Sequence, residues 1–269
     1  MTIMEPARDG QASNLGFLNP VNAKGHVLMA TLNYKPELHH QVNDSLESAF
    51  WSLHINGGWR ATRTFLIGSA DICESRNRFI TQFWKREEFT HALFHDGDVS
   101  WEPGTVERML SHELDMVLGA YPKRGDGEGF PVKFLDTETP HMVDPKTGES
   151  KSEGGLIRIK GGGAGCLLIS RAVVTKMVEA YPDLWYHYPN VVGGKALSFF
   201  EFAVLDHKRT SEDINFCRLW REIGGTVWCD PWLKLNHHGD KTWSGRFVDE
   251  LRMMMGPQER SEKIIRVPA

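Results

Sequence analysis

Cysteine is scarce in this chain, and its spacing excludes two common kinds of site. Four cysteines occur in 269 residues, at positions 73, 166, 217 and 229, and no two of them have Cys-x-x-Cys spacing. A disulfide framework or a structural zinc site normally needs closely spaced cysteines. We therefore expect reduced structural thiols, which are typical of a cytoplasmic protein.

Long apolar runs, a signal-peptide pattern and a strong charge bias are also missing. No stretch approaches the roughly 18 apolar residues of a membrane span, and residues 1–20 lack a basic segment followed by an apolar one. The formal net charge is -4 and the sequence pI is about 6.3. The whole chain therefore gives no electrostatic reason to expect a nucleic-acid or membrane partner, although a local basic groove stays compatible with it. These features predict a soluble protein without a membrane span.

Short apolar runs alternate with segments of helical periodicity, which is typical of an α/β protein. We predict strands at 26–32, 60–68, 90–95, 115–120, 156–160 and 226–229, and helices from Pro36, over 74–88 and 103–112, after Ser170, and from Ser211. Strands and helices that alternate in this way favour a mostly parallel central sheet flanked by helices.

The length favours one domain. Residues 1–24 mix glycine, asparagine, proline and charge without periodicity, which predicts a flexible N-terminal arm. The domain itself is expected over 25–245, with a loop or hairpin excursion at 125–155, where the chain is polar and rich in glycine. Residues 246–269 are expected to be a C-terminal extension that packs on the core or on a partner subunit.

Two aspartates, Asp96 and Asp98, follow directly on the third predicted strand and are separated by Gly97. Alternate residues of an extended segment project to the same side, so the two carboxylates can point in one direction while the glycine lets a ligand approach the backbone. Such a pair suits Mg²⁺ or Mn²⁺ bridging a pyrophosphate. An ordinary acidic turn is the alternative, but the apolar run Leu93–His95 delivers the motif to the carboxyl end of a buried strand, where open α/β sheets bind ligands.

From about residue 26 to 240 the sequence resembles the GT-A glycosyltransferases, particularly the small bacterial and phage-type enzymes. The order and spacing of several segments carry the resemblance: Ser75-Arg76-Asn77, Asp96-Gly97-Asp98, Tyr121-Pro122-Lys123, Gly163-Ala164-Gly165, Ser211-Glu212-Asp213, and His237 with Gly239. The resemblance implies a single GT-A (Rossmann-like) domain, a nucleotide-sugar donor and a divalent metal, Mn²⁺ or Mg²⁺.

The family pattern also implies a metal site. Asp98 would be the direct metal ligand, and Asp96 would contact ribose or a metal-bound water. His237 matches the family's late histidine and would complete the coordination sphere, since neutral imidazole is a competent ligand for Mn²⁺-like ions. His238 is the adjacent competitor, and either histidine has a plain packing or surface role as its alternative.

The donor nucleotide is expected at the end of the first strand. Leu32, Asn33, Tyr34 and Lys35 stand where the family holds base and ribose, beside Asp96 and Gly97, with Tyr34 stacking on the base. Arg76 is expected to meet the diphosphate as a bidentate donor. The competing interpretations are a solvated loop charge for Lys35 and a helix-surface ion pair for Arg76.

The acceptor side is expected around a second acidic pair. Glu212 and Asp213 begin a helix, where carboxylates also serve as ordinary partners of free amides and the helix dipole. In the family pattern Asp213 matches the residue that deprotonates the attacking hydroxyl in inverting members; in a retaining enzyme it would position the acceptor. The backbone at Gly163-Ala164-Gly165 and the side chain of Glu201 are expected beside donor sugar and acceptor, with a tight turn as the alternative for the glycines.

The sequence thus predicts transfer of a sugar, most readily from a UDP-sugar, onto a hydroxyl acceptor. The alternatives are a nucleotidyltransferase, against which the missing Gly-rich, Lys/Arg-bearing loop after the first strand counts, and a nucleotide-binding module without chemistry. The acceptor stays open among a glycan, a protein, a small molecule and a hydroxymethylated DNA base. The net charge disfavours DNA, for which five cations offer a local basic face: Lys123, Arg124, Lys133, Lys208 and Arg209.

Overall fold

The computed structural model describes residues 23–125, 129–136 and 140–254. Its strands, in chain order, are β1 (His26–Asn33), β2 (Arg60–Ile67), β3 (His91–Asp96), β4 (Val99–Trp101), β5 (Met116–Gly119), β6 (Val132–Lys133), β7 (Ile157–Ile159), β8 (Gly161–Gly162), β9 (Cys166–Ser170), β10 (Trp185–His187), β11 (Lys195–Leu197), β12 (Ala203–Leu205), β13 (Lys208–Thr210), β14 (Val227–Asp230), β15 (Lys234–His238) and β16 (Thr242–Arg246). Its helices are α1 (His40–Ser52), α2 (Ile72–Lys85), α3 (Thr105–Ser111), α4 (Arg171–Ala180), α5 (Glu212–Glu222) and α6 (Phe247–Met254).

Seven strands form the central sheet, in the order β2-β1-β3-β9-β5-β14-β7. The pairs β1/β2, β1/β3 and β5/β14 are parallel, whereas β9 is antiparallel to β3 and β5 and β7 is antiparallel to β14. Five strands therefore run in one direction, and their carboxyl ends meet at one edge. The mostly parallel, helix-flanked sheet predicted from the sequence is confirmed.

Apolar side chains cover both faces of this sheet because successive strand residues point to opposite sides. In β1, Leu28 and Ala30 belong to the cluster that packs under α2, α4, α5 and α6, while Val27 and Met29 belong to the cluster under α1 and α3. All four are buried. The continuous apolar run in the sequence is thus the signature of a strand covered on both sides.

The first helix begins at His40, four residues after the start predicted at Pro36. The amide of Asn33 explains the delay, because Nδ2 donates to the carbonyls of Lys35 (2.5 Å) and Glu37 (2.9 Å) and holds the intervening chain in a loop. A side chain that binds nearby carbonyls in this way competes with helical hydrogen bonds.

A second sheet of three strands, in the order β16-β15-β4, stands beyond the carboxyl end of β3. Its short strand β4 is antiparallel to β15, with His237 opposite Val99 and Asn236 opposite Ser100. The backbone amide of His238 continues the ladder by donating to the carbonyl of Asp98 at 2.7 Å. This pairing brings the late histidines beside Asp98.

The 125–155 segment is less separate than its polarity predicts. Within its described residues, β6 pairs with β8, and Val143 bridges to Ser150 and Leu156. Met142 and Val143 are buried. The few apolar residues of the segment therefore pack against the domain.

The chain after residue 245 also contributes to the domain. Helix α6 buries Phe247, Val248 and Leu251 in the main core cluster, so its contact is with the body of this same chain. The rest of the predicted extension, 255–269, and residues 1–22 of the predicted arm lie outside the described residues. None of the helices formed by the described residues is long and apolar enough to cross a membrane.

Candidate functional site

A cleft of about 890 Å³ opens at the carboxyl edge of the central sheet. The ends of β1 and β3 and the start of α2 form one side, and residues 124–125 and 238–243 form the other. Its lining includes Leu32, Asn33, Tyr34, Lys35, Ser69, Ala70, Asp96, Gly97, Asp98, Arg124, His238, Asp240 and Trp243. Six of the seven residues predicted to hold the donor nucleotide therefore share one cavity.

The ends of β1 and β3 fit closely because residue 97 is glycine. The Gly97 amide donates to the carbonyl of Leu32 at 2.6 Å. A β-carbon on Gly97 would stand 2.7 Å from Cβ of Asn33, well inside normal contact. Tyr34 follows with 70% of its surface exposed, so its ring is available to a ligand in the cleft.

Arg76 is the exception among the predicted donor residues. Its guanidinium is buried between two carboxylates: Nη2 donates to both oxygens of Asp96, at 2.9 and 3.2 Å, and Nη1 donates to Glu212. Its side chain is only 3% exposed, and it is not part of the cleft lining. In this arrangement the two carboxylates engage both Nη atoms of Arg76, so the structure gives this side chain an ion-pair role and its contact with a diphosphate stays a prediction. The alternative, an ion pair on the helix surface, is not observed, since the pairs of Arg76 with Asp96 and Glu212 are internal.

Arg76, Asp96 and Glu212 form a buried cluster of charged side chains beneath the cleft, called the Arg76 cluster. Burial lowers the pKa of Arg76, but Asp96 and Glu212 outweigh that effect and raise it, so the guanidinium stays charged. Burial raises the pKa of Glu212, and Arg76 opposes the rise. One buried cation thus links the end of β3 to the first turn of α5.

Asp98 lines the cleft, and His237 lies beside it without belonging to the cleft lining. His237 Nε2 lies 3.7 Å from Asp98 Oδ1. Its Nδ1 lies 2.9 Å from the carbonyl oxygen of Pro122, so Nδ1 carries the proton in the neutral ring and Nε2 keeps a lone pair towards Asp98. Burial and the neighbouring Asp96 raise the pKa of Asp98, and Arg124 and His237 oppose that rise.

The two late histidines differ in what their nitrogens do. His238 is buried, with Nδ1 3.0 Å from Thr242 Oγ1 and Nε2 2.9 Å from Ser100 Oγ. Burial and the cationic forms of nearby histidines lower its pKa. Both of its nitrogens are thus engaged in packing hydrogen bonds, whereas His237 has one nitrogen directed to Asp98.

The three side chains predicted to hold a metal do not form a cluster. Asp96 is turned to Arg76, and Arg124 Nη2 donates to Asp98 Oδ2. Over the described ranges, no group of three or more His, Cys, Asp or Glu side chains could hold a metal ion by itself. Asp98 and His237 nevertheless make a fitting oxygen and nitrogen donor pair for Mn²⁺, which accepts both types of ligand.

Asp213 lies in the first turn of α5, as predicted, beside Glu212. Its Oδ1 accepts hydrogen bonds from the Ser211 hydroxyl and from the Ile214 amide (2.7 Å). Both of these hydrogen bonds go to Oδ1, so Oδ2 is the oxygen that can accept a proton. Its charge acts on Arg76 and on the buried Tyr121, which places Asp213 in electrostatic reach of the cleft floor.

The predicted acceptor-side residues have packing roles. A β-carbon on Gly163 would meet the Tyr121 hydroxyl at 2.3 Å, and one on Gly165 would meet Asp96 Oδ2 at 2.7 Å. Ala164 is buried. Glu201 Oε1 accepts from Asn77 (2.8 Å) and Ser198 (2.7 Å). The glycines therefore let Tyr121 and Asp96 approach the backbone, and neither they nor Glu201 lines the cleft.

Several cleft residues carry no signal that sequence reasoning used. Ser69 and Ala70 lie in the loop after β2, and Asp240 and Trp243 belong to the β15–β16 turn and strand. The sequence predicts Arg124 as one of five cations of a local basic face, and the structure pairs it with Asp98. Of the other four, Arg209 stacks on Phe202, with 4.1 Å from Cζ to the ring centroid. Loops at the carboxyl ends of parallel strands are the pattern that would have drawn attention to Ser69 and Ala70.

Comparison with known proteins gives distant structural likenesses. No protein-family model matches the chain, and no characterised protein matches its sequence. Among solved structures, A197 from STIV is similar over 82% of this chain and 90% of its own, at 16% identity and a TM-score of 0.49. TarS 1-349 from S. aureus is similar at 13% identity and a TM-score of 0.40, over 76% of this chain and 57% of its own length. A 4-diphosphocytidyl-2C-methyl-D-erythritol synthase from Anaerococcus prevotii is similar at 12% identity and a TM-score of 0.28, over 59% of this chain and 77% of its own length. Similarity this distant assigns no function to the chain.

Proposed function

We propose that this chain is a metal-dependent glycosyltransferase of the GT-A type that moves a sugar from a UDP-sugar to a hydroxyl acceptor. One observation carries the proposal: the ends of β1 and β3 and the β15–β16 hairpin enclose a single cleft, into which Asp98 projects beside Nε2 of His237. A cleft outside the carboxyl ends of parallel strands is where α/β proteins bind nucleotides. The sequence resemblance to the family supports the same activity.

The donor nucleotide would lie along the β1 wall. Tyr34 offers an exposed ring for the base, and Asp96 offers carboxylate oxygens to ribose hydroxyls. Arg76 would hold the Asp96 carboxylate in place from below rather than touch the ligand. The close Gly97–Leu32 contact would keep the two strand ends at a fixed separation.

The metal would be held by Asp98 and His237. A protein that supplies only one or two ligands to such an ion normally leaves the remaining positions to substrate phosphates and water. When bound, a divalent cation supplies Lewis-acid stabilisation of the negative charge on the departing diphosphate. The protein's own part is to orient His237 through the Pro122 carbonyl and to present one carboxylate.

Asp213 would act as general base in an inverting reaction. The acceptor oxygen bonds to the anomeric carbon, the bond from that carbon to the diphosphate oxygen breaks, and the hydroxyl proton passes to Oδ2 of Asp213. Oδ1 is held by the Ser211 hydroxyl and the Ile214 amide, which fixes the direction of the other oxygen. A positioned carboxylate of this kind contributes roughly 10²–10⁴-fold to rate.

Donor hydrolysis tests the proposal without knowledge of the acceptor. Purified protein is incubated with a panel of UDP-sugars and Mn²⁺, and free UDP is measured for the native chain and for Asp98→Asn. We expect UDP release that falls at least about 10-fold in the variant, because one of two protein ligands is lost. Asp44→Asn, an exposed aspartate of α1, is the matched control and should release UDP at the native rate.

The alternatives give different products. A nucleotidyltransferase would consume a nucleoside triphosphate and a sugar phosphate and release pyrophosphate, and a binding module would bind UDP without turnover. Absence of UDP release from every sugar nucleotide in the panel would refute the glycosyltransferase proposal.

Asp213 is tested by separating binding from turnover. Asp213→Asn should lower kcat for transfer by about 10²–10⁴-fold while leaving the Kd for UDP within about twofold, because the residue lies outside the nucleotide cleft. The anomeric configuration of the product, read by NMR once an acceptor is found among glycans, proteins and hydroxymethylated DNA, decides whether inversion occurs. Retention of configuration with an unaffected kcat would refute the base assignment.

A further inference from the structure

Asp98 divides its two carboxylate oxygens between different partners. Oδ1 lies 3.7 Å from His237 Nε2, and Oδ2 accepts a hydrogen bond from Arg124 Nη2. Both Arg124 and Asp98 line the cleft, with side chains 42% and 34% exposed. Arg124 is therefore already paired with the carboxylate of Asp98, which is the metal ligand of the proposed function.

The surroundings hold this guanidinium in the cleft wall. Gly239 lacks a side chain where one would crowd Arg124, since its β-carbon would lie 3.3 Å from Nε of Arg124. The carbonyl of Gly125, the next residue, accepts a hydrogen bond from the indole of Trp243 at 3.2 Å. Pro122, two residues earlier, holds Nδ1 of His237. Residues 122–125 thus contact both proposed metal ligands and the hairpin that closes the cleft.

We propose that Arg124 is an internal counter-cation that competes with the divalent metal for Asp98 and transfers to the diphosphate when metal and nucleotide bind together. This inference rests on the proposed function. A divalent cation held between Asp98 Oδ1 and His237 Nε2 would stand next to the guanidinium on Oδ2 of the same carboxylate. Two cations on one carboxylate repel each other strongly, so metal binding displaces Arg124. The displaced side chain remains at the wall of the same cleft, where a diphosphate offers its planar fork a bidentate partner.

The exchange has a thermodynamic consequence for both ligands. The metal alone must displace Arg124 from Asp98 without giving it a new partner, so its binding is weakened. With the diphosphate present Arg124 gains phosphate oxygens, and metal affinity rises. Because coupling is reciprocal, the metal must raise UDP affinity by the same factor. Arg124 therefore makes metal and nucleotide bind as a pair.

Direct Mn²⁺ binding tests this without any turnover. The Kd for Mn²⁺ is measured from the EPR signal of the free ion, and the Kd for UDP by calorimetry with and without Mn²⁺, for the native chain, Arg124→Gln and Arg124→Lys. We expect Arg124→Gln to bind Mn²⁺ alone about 5- to 10-fold more tightly than the native chain, because the competing charge is gone. The gain in UDP affinity caused by Mn²⁺ should shrink several-fold in the same variant.

Arg124→Lys keeps the charge and should retain most of the native competition with Mn²⁺. Circular dichroism spectra that match the native chain show that the variants fold, as expected for an exposed side chain. Unchanged or weaker binding of Mn²⁺ alone by Arg124→Gln, with Mn²⁺ still raising UDP affinity in the native chain, overturns this inference and leaves the proposed function intact. Absence of Mn²⁺ binding in every protein, with and without UDP, overturns the metal site of the proposed function as well.

Discussion

Arg76 carries a buried positive charge that is held by two carboxylates from distant parts of the chain. Its guanidinium contacts Asp96 at the end of β3 and Glu212 at the start of α5, and its buried Nε has no hydrogen-bond partner among the residues that the structure describes. A buried ion pair gains little over a well-packed apolar alternative, but removal of one member leaves uncompensated charge and is costly. The cluster therefore couples the stability of the fold to the geometry of the cleft floor.

Replacement of Arg76 should destabilise the protein strongly. Arg76→Met leaves the carboxylates of Asp96 and Glu212 without their cation, and we expect a loss of about 3–5 kcal/mol in the free energy of unfolding at pH 7. Urea denaturation measures it. Arg78→Met, on the same helix in a more exposed pair with Glu74, is the control and should cost less than about 1 kcal/mol.

The deficit of Arg76→Met should shrink in acid. Burial raises the pKa of Glu212 and Arg76 opposes it, so loss of Arg76 raises that pKa further above its unfolded value. A carboxyl group with a raised folded pKa stabilises the fold at low pH and loses that contribution as pH rises through the folded pKa. The variant should therefore be closer to the native chain at pH 5 than at pH 7, and an equal deficit at both values would contradict the account.

At the scale of elements, the pairing of short strands assembles the site. β4 is only three residues long, yet its pairing with β15 places His237 beside Asp98 and leaves His238 between Ser100 and Thr242. Helix α5 begins beside Arg76, and the two adjacent carboxylates of its first turn serve different partners: Glu212 accepts from Arg76 and Asp213 accepts from Ser211. These contacts cannot be predicted from the order of strands and helices alone.

Helix α6 should behave as part of the core. Leu251 is fully buried within the main cluster, so Leu251→Ala should lower the free energy of unfolding by about 2–5 kcal/mol, the usual cost of a buried leucine. Met253 lies on the same helix and is 78% exposed. Met253→Ala should therefore change stability by no more than about 0.5 kcal/mol. Similar urea midpoints for the two variants would show that α6 is not needed by the domain.

For the molecule as a whole, two histidines with lowered pKa values, the buried His95 and the half-buried His26, contribute to the response to acid. His95 is fully buried beside Trp101, and burial lowers its pKa to about 4, against the opposing hydrogen bond to the Val99 carbonyl. Burial, with Arg60, also lowers the pKa of His26 to about 4. In the unfolded chain both imidazoles have the ordinary histidine pKa of about 6.5, so they bind protons below that pH.

Stability should therefore fall as pH drops from about 6.5 to 4. Between these pH values, each of the two histidines lowers the free energy of unfolding by as much as about 1.4 kcal/mol per pH unit, because the unfolded state binds a proton that the folded state does not. His95→Gln should flatten the dependence by up to that amount, measured as urea unfolding free energy between pH 7 and 4.5. His187→Gln, at an exposed position of β10, is measured over the same pH range as the substitution control.

The sequence by itself determined the elements of this protein. Short apolar runs define β1, β2 and β3, and apolar residues at a period of 3.6 define α2 and α5, each to within a few residues, because burial constrains every position locally. The family resemblance of the sequence implied that Leu32–Lys35 lie beside Asp96 and Gly97, and in the structure they line one cleft, because the carboxyl ends of parallel strands meet at one edge of a sheet.

Only the tertiary structure decided which side chains pair within that site. Arg76 contacts a residue 136 positions away, and His237 is oriented by a carbonyl 115 positions away. No local pattern specifies such contacts. A slip of one residue between β15 and β4 would exchange His237 for His238, because side chains alternate across a strand. The Asp98 and Arg124 contact likewise depends on how residues 122–125 lie against the β15–β16 hairpin, which packing fixes and composition does not.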